Sequence, residues 1–349
     1  MTGAGTRRVE VMSAAGVVCA LTTVLMSSAA VPSDLTDEAA LLKDVGFSPF
    51  EVQKIARGET VARTTEADSA AVALAVAGTV AVPAAFYIEK FHAIESFKKT
   101  AEVRQIGRFS APPRPEDVAA LLLEEADVDD LRGCRIDDCG LKLDTEGIQK
   151  LARPDAQIPT ASAAIKPYLA AYASRYVQRG NASLMEYRST SNPRRLADEL
   201  RTIVNRSPYL RQRWPVLFGA VANYSGSLPP ELDDFLYWSK EKIGPRAVVS
   251  ITHVIVSPLR QGRAAIATKQ IYASHYSDAS LGVTMLLEYG TAADPRTRVI
   301  YVNRTRLDIF GGLFGSIKRP LVRSRAREGA ERTMRGLSEK LEREYRTSH

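Results

Sequence analysis

The sequence predicts an α+β fold built from an antiparallel sheet and a long C-terminal helix, and three observations lead to this class. Four strand-like segments follow one another between residues 247 and 307 with only short turns between them, which favours an antiparallel meander. A Val- and Ala-rich segment that ends at Pro83 leads directly into a helical pattern. From Arg319 to about Tyr345, apolar residues recur at helical spacing along a basic segment.

The first 30 residues have the pattern of an export signal. Arg7 and Arg8 precede an uncharged apolar run from Val11 to Met26, and residues 28–30 fit a cleavage site between small residues. A retained anchor helix is the alternative, although the run is shorter than the roughly 20 residues of a membrane span. Either interpretation predicts an exported protein, periplasmic or associated with the cell envelope.

Two cysteines follow the leader, Cys134 and Cys139 in the segment GCRIDDCG. An oxidising compartment favours a disulfide between them, and free thiols are the alternative. A metal site would need further cysteine or histidine ligands, and the sequence offers none nearby. We therefore expect a disulfide and no metal site.

The first half of the chain divides into a lead and the opening of a main domain. Residues 31–69 are predicted to form an N-terminal helical lead, and residues 70–349 the main domain. This domain opens with a strand up to Pro83, a helix to about Lys99 and a short strand over 102–110. The stretch from about 110 to 180, which carries both cysteines, is predicted to be a helical insertion.

The second half of the chain is predicted to be rich in strands. Residues 183–189 suggest a strand, residues 193–225 a helical stretch, and the segment DDFLYWSKEKIG either a strand or a helix edge. The strands of the meander are predicted at Ala247–Ser257, Ala264–Tyr276, Leu281–Tyr289 and Thr297–Leu307. Because Pro320 is tolerated in the first turn of a helix and not in its middle, the last helix is predicted to begin near Arg319.

This order of elements resembles the START-like (SRPBCC, helix-grip) superfamily, which includes polyketide cyclase-like and lipid-transfer domains. The resemblance is carried by Ala70–Lys99, Val248–Leu307 and Pro320–Tyr345. It implies a curved antiparallel sheet that grips the terminal helix, with an apolar cavity between them and the helical stretch as an insertion. The C-x4-C spacing and the segment YWSKEKIG are also similar to segments of exported bacterial proteins.

The segment HYSD brings together His275, Ser277 and Asp278, the three residue types of a hydrolytic triad. We predict instead a hairpin corner with its turn at residues 277–279, because near-consecutive residues at a tip cannot hold a base between nucleophile and acid. The strained G-x-S-x-G turn of hydrolases is also absent from the sequence. No catalytic residue is therefore assigned.

The implied cavity would take its polar groups from the meander. His253 and His275 lie on separate predicted strands, and either share the cavity or are buried separately, because strand register is unknown. The candidate ligand-binding residues are His253, Tyr272, His275, Tyr289, Tyr301 and Arg304, with Asn303 beside them. Leu313 and Phe314, between glycines, form either a lip over the cavity or an anchor under the helix.

The leading functional hypothesis is an exported binding or carrier protein for a hydrophobic small molecule or lipid. A cyclase-like or hydrolytic enzyme using the same cavity is one alternative. The other is an envelope-associated protein whose basic helix contacts the membrane surface, since residues 315–349 hold ten Lys and Arg against five Glu in a chain of net charge +7. No nucleic-acid motif accompanies this charge, so we expect no nucleic-acid partner, and we expect no cofactor.

Overall fold

The computed structural model describes Met1 and residues 33–66, 71–308 and 315–348. The predicted leader and the predicted lip residues Leu313 and Phe314 lie outside these ranges. Ten strands are described: β1 (Val61–Glu66), β2 (Ala71–Val80), β3 (Val103–Arg108), β4 (Glu186–Tyr187), β5 (Arg194–Arg195), β6 (Asp233–Ile243), β7 (Arg246–Val256), β8 (Arg263–Ala273), β9 (Ser277–Gly290) and β10 (Pro295–Leu307). All except β4 and β5 belong to one antiparallel sheet.

Helices of the described ranges flank this sheet on both sides. They are α1 (Ser33–Val45), α2 (Pro49–Ala56), α3 (Ala84–His92), α4 (Ile94–Phe97), α5 (Glu125–Gly133), α6 (Thr145–Leu151), α7 (Ile158–Arg179), α8 (Leu196–Asn205), α9 (Pro208–Arg213), α10 (Pro215–Asn223) and α11 (Gly315–Ser348). Short 3-10 helices cover Pro115–Val118 and Gly180–Ser183. The expected α+β fold, a curved antiparallel sheet with a long C-terminal helix, is confirmed.

The strand order of the main sheet is β1-β2-β10-β9-β8-β7-β6-β3. The four expected strands, β7 to β10, form a meander that β6 extends by one strand, because each strand pairs with the next one along the chain. β2 pairs with the last strand, β10, and Val80 lies opposite Thr297 in this pair. The strands of the meander have apolar residues on both faces because both faces are covered.

The two faces of the sheet pack against different parts of the chain. We call the side covered by α3, α4 and α11 the grip face; its core includes Val76, Val254 and Leu286. We call the other side the insertion face; it is covered by α1, α2 and the helices between β3 and β6. Residues alternate between these faces along each strand, so neighbouring positions serve different cores.

Helix α11 packs over the edge of the sheet formed by β1 and β2. Met334 and Leu341 are buried there, and Tyr345 makes an edge-to-face contact with Phe86 at 5.0 Å between ring centroids. Glu331 accepts a hydrogen bond of 3.2 Å from the backbone N–H of Ala62 in the edge strand. The helix therefore covers an edge that would otherwise present free backbone groups.

Some elements agree with the sequence predictions and others differ from them. The N-terminal lead contributes a strand, β1, as well as its two helices. The helical stretch predicted over residues 193–225 is present as α8, α9 and α10. The segment left undecided is strand β6, and α11 begins at Gly315, four residues before the predicted start. The strand conformation of β1 and β6 depends on pairing with β2, β3 and β7, which a local sequence pattern does not show.

The insertion contains the expected disulfide. Cys134 and Cys139 are bonded at 2.00 Å between their Sγ atoms, just after α5. A disulfide is consistent with an oxidising location. Within the described ranges, no helix is both long and apolar enough to cross a membrane.

Candidate functional site

The sequence-predicted candidates do not gather in one place. His253, Tyr272 and Arg304 lie on the insertion face of the sheet, and His275 lies in the turn between β8 and β9. Tyr301 alone lies on the grip face with its side chain among that core. Tyr289, near the end of β9, is exposed and shares a hydrogen bond of 3.0 Å with Thr79.

His253 is held between two polar partners. Its Nε2 lies 2.7 Å from Oδ2 of Asp234, and its Nδ1 lies 2.9 Å from the hydroxyl of Tyr176 on α7. Burial lowers the pKa of His253 to about 4, an effect that Asp234 only partly offsets. The ring is therefore neutral at pH 7, with Nε2–H donating to Asp234 and Nδ1 accepting from Tyr176.

His275 and Tyr272 connect the sheet to the insertion. Nε2 of His275 lies 2.9 Å from Oδ1 of Asp127 on α5, and both side chains are buried. Among the described residues the buried Tyr272 hydroxyl has no hydrogen-bond partner, and burial raises the pKa of Tyr272 far above its usual value. These residues fasten the insertion to the sheet rather than line a common space.

The turn in the HYSD segment lies at different residues from the predicted 277–279. The turn falls at residues 274–276, where Tyr276 has a φ of 61°, and β9 already begins at Ser277. Asp278 is therefore a strand residue, and its carboxylate accepts a hydrogen bond from Lys142. His275 faces Asp127 and Ser277 donates to Gln270, so the three HYSD side chains serve separate partners.

The grip face carries a group of residues that sequence reasoning did not select as a set, which we call the polar band. Direct cross-strand pairs place them side by side in the middle of the sheet, from β6 to β10. The polar band consists of Ser239, Ser250, Thr252, Thr268, Gln270, Ser280, Thr284, Tyr301, Asn303 and Thr305. The members on β8 and β10 are half-buried, as is Ser280, so part of the band faces open space.

Hydrogen bonds orient the polar band from within. Asn303 donates from Nδ2 to the hydroxyl of Ser280 at 3.1 Å and accepts from Thr305 at 2.7 Å. Gly282 lies in the same row between Thr268 and Asn303. A Cβ at Gly282 would come within 2.4 Å of the Thr268 hydroxyl and 3.0 Å of the Tyr301 hydroxyl, so only glycine lets these two side chains pack so closely against the strand.

An ion pair borders the polar band at the β6 side. Lys98, directly after α4, donates from Nζ to Oε1 of Glu241 at 2.6 Å and to the Tyr237 hydroxyl at 3.3 Å. Ser239 donates to the same Glu241 oxygen at 2.6 Å. About a quarter of each charged side chain is exposed, 27% for Lys98 and 22% for Glu241.

The charges of this ion pair are fixed near neutral pH. Burial alone would raise the pKa of Glu241, but the charge and hydrogen bond of Lys98, with the Ser239 hydroxyl, hold that pKa below its usual value. Burial would lower the pKa of Lys98, but Tyr237 and Glu241 outweigh it and raise that pKa. Burial raises the pKa of Tyr301 to about 12. The site therefore offers a fixed cation, a fixed anion and neutral hydroxyl and amide groups.

A sequence signal for the polar band exists in hindsight. Polar residues recur at every second position in three successive strands: Thr268 and Gln270 in β8, residues 280–284 in β9, and residues 301–305 in β10. In strands covered on both faces, such a pattern indicates one polar face. Of these residues the sequence analysis named Tyr301 and Asn303.

No protein-family model matches the chain, and none of the curated proteins searched matches it.

Proposed function

We propose that this chain is an exported binding protein that carries a small lipid-like molecule on the grip face, with the polar part of that molecule at the polar band. The observation that carries the proposal is the band itself. Ten hydroxyl- or amide-bearing residues and an adjoining ion pair stand in the middle of a face whose neighbouring rows are apolar. Burying polar groups costs free energy unless they form hydrogen bonds, and the polar part of a bound ligand would supply such bonds.

The neighbouring rows suit the apolar part of such a ligand. Val254, Ile266 and Leu286 lie on the same face, next to the polar band, and belong to its apolar core. A site that combines apolar walls with a few oriented polar groups is the usual form of a small-molecule pocket. The resemblance to START-like carriers supports the proposal by analogy of fold.

The charge states favour binding over acid–base catalysis. A general acid or base works best with a pKa near the working pH. The pKa of Glu241 is lowered and those of Lys98 and Tyr301 are raised, so all three move away from neutrality. These groups are therefore suited to hold a ligand rather than to exchange protons with it.

The proposed location rests on two independent features. The leader-like pattern of the first 30 residues supports export, and the Cys134–Cys139 disulfide supports an oxidising destination such as the periplasm or the cell envelope. Contact of the basic terminal helix with anionic lipid would bring the carrier to its source of ligand.

The test is mass spectrometry of the full chain purified from an envelope fraction, both intact and as an organic extract. We expect one bound lipid or apolar metabolite per chain. Thr268→Phe places a ring in the polar band and should abolish this ligand, whereas Thr347→Phe, the same exchange at an exposed position of α11, should retain it. An empty wild-type protein, or a folded Thr268→Phe variant that still carries its ligand, contradicts the proposal.

A further inference from the structure

A separate cleft of about 770 Å³ opens on the insertion side of the molecule. It lies between α8 and α10, and the 3-10 helix at 180–183 closes one end. Leu200 and Val204 from α8 and Phe218 from α10 give it an apolar floor. It has no lining residue in common with the polar band, which lies on the opposite face of the sheet.

The rim of this cleft contains a cation without an acidic partner. Arg195 and Arg201 are paired with Glu186 and Asp198 at 2.8 and 3.0 Å. Arg211, within the described part of the chain, has no carboxylate within salt-bridge distance; its guanidinium lies over the Phe218 ring at 4.6 Å from the centroid. Nη2 of Arg211 donates to Oδ1 of Asn205 at 3.5 Å, and the other guanidinium N–H groups can donate to a planar anion such as a carboxylate.

A second cation stands behind the closed end. Lys269 is 1% exposed, and its Nζ donates to Oδ1 of Asn181 at 2.8 Å and to the Val221 carbonyl at 3.3 Å. Asn181 and Val221 both line the cleft. The Nζ also lies over the rings of Tyr176 and Tyr224, at 5.2 and 5.3 Å from their centroids.

The surroundings of Lys269 leave its charge uncompensated. Among the described residues no carboxylate lies within salt-bridge distance of it, and burial lowers the pKa of Lys269 to about 7. A buried cation held only by neutral acceptors and ring faces is costly to a fold. A negative charge in the cleft would offset this cost.

We propose that the cleft between α8 and α10 binds an organic monoanion with an apolar body, such as a medium-chain carboxylate. The carboxylate meets Arg211 at the rim, and the apolar body lies along Leu200, Val204 and Phe218. Charge complementarity favours an anionic ligand, and the apolar floor favours a ligand with a hydrocarbon tail. This inference does not depend on the function proposed for the polar band.

Titration calorimetry with decanoate, using the full chain, tests the proposal. We expect one decanoate per cleft and binding at least about tenfold weaker for decanol, because the charged contact is lost. Arg211→Gln should weaken decanoate binding about tenfold. Arg153→Gln, which removes an exposed arginine far from the cleft lining, should leave it unchanged.

A variant that fills the cleft distinguishes binding in the cleft from binding at the polar band. Ala197→Phe on α8 enters the cleft and should abolish decanoate binding, while Thr268→Phe on the grip face should not affect it. Thermal unfolding confirms that each variant is folded. The proposal is overturned if decanoate does not bind, if decanol binds equally well, if Arg211→Gln binds as wild type does, or if only Thr268→Phe removes binding.

Discussion

Lys142, in the insertion, donates a hydrogen bond of 2.5 Å from its Nζ to Oδ1 of Asp278 at the start of β9. Both side chains are 7% exposed. Asp308, at the end of β10, also approaches the Lys142 Nζ, at 3.0 Å. One lysine therefore ties the insertion to two strands of the meander.

Removal of this lysine should destabilise the protein strongly. We expect Lys142→Met to lower the free energy of unfolding by about 3 kcal/mol, because it leaves the carboxylate of Asp278 buried without a partner. Urea denaturation measures the change. Lys150→Met is the control, because its partner Glu146 is 42% exposed and the loss should be below about 0.5 kcal/mol. Equal effects in the two variants would contradict the prediction.

His253 should make stability depend on pH in mildly acidic solution. Its pKa is lowered to about 4 in the fold, against about 6.5 in the unfolded chain, so the unfolded chain binds the proton first as pH falls. Stability present above pH about 6.5 is then lost by roughly 3 kcal/mol as pH falls to about 4.

Comparison of pH profiles isolates the histidine. Urea denaturation over this range should show a shallower loss for His253→Gln than for wild type. His92→Gln, which alters a half-buried histidine 3.6 Å from Asp233, should keep the wild-type slope. An unchanged slope in His253→Gln would show that other groups cause the loss.

Lys269 should make the stability of the protein depend on pH in neutral to alkaline solution. Its pKa is lowered to about 7 by burial, against about 10.4 in the unfolded chain, so the unfolded chain holds the proton between these values. The free energy of unfolding contributed by this group therefore rises as pH increases from about 7 to about 10. Lys269→Met should remove this rise, and Lys240→Met, which leaves Lys269 intact, should preserve it. A wild-type profile without the rise would contradict the assigned environment.

The disulfide should contribute stability through its short loop. Reduction, or the double variant Cys134→Ala with Cys139→Ala, should lower the free energy of unfolding by about 2 kcal/mol, because the unfolded chain regains the freedom of a loop of about six residues. The melting temperature with and without a reductant measures this. A reductant should leave the double variant unchanged, and a shift there would point to another cause.

The sequence predicted the elements whose signals are local. The four strands of the meander, the terminal helix and the cysteine pair each depend on neighbouring residues, and all are present. β1 was missed because Val61–Glu66 is short, carries charges at Arg63 and Glu66, and forms a strand by pairing with β2 at the edge of the sheet. The HYSD turn was displaced because Tyr276 adopts a positive φ, which is rare outside glycine, asparagine and aspartate.

The polar band was beyond the sequence analysis for a physical reason. Thr268, Gly282 and Asn303 become neighbours only when the register of three strands is known. A shift of one residue in any of them would send its side chain to the other face. Lys98, directly after α4, also belongs to this site. It precedes its partner Glu241 by 143 residues in the sequence, so no local pattern could predict their contact.

The position of β2 between β1 and β10 affects how the chain folds as it is made. β2 is among the first parts of the sheet to be synthesised, yet its partner β10 begins only at Pro295. Until then β2 presents a bare edge of apolar residues, and contacts this distant in sequence form slowly. A chain interrupted before β10 would leave one edge of β2 and one edge of β9 without a partner strand and prone to aggregate. The growing chain therefore remains incompletely folded until nearly all of it has been synthesised. A holding chaperone would bind the chain in this state.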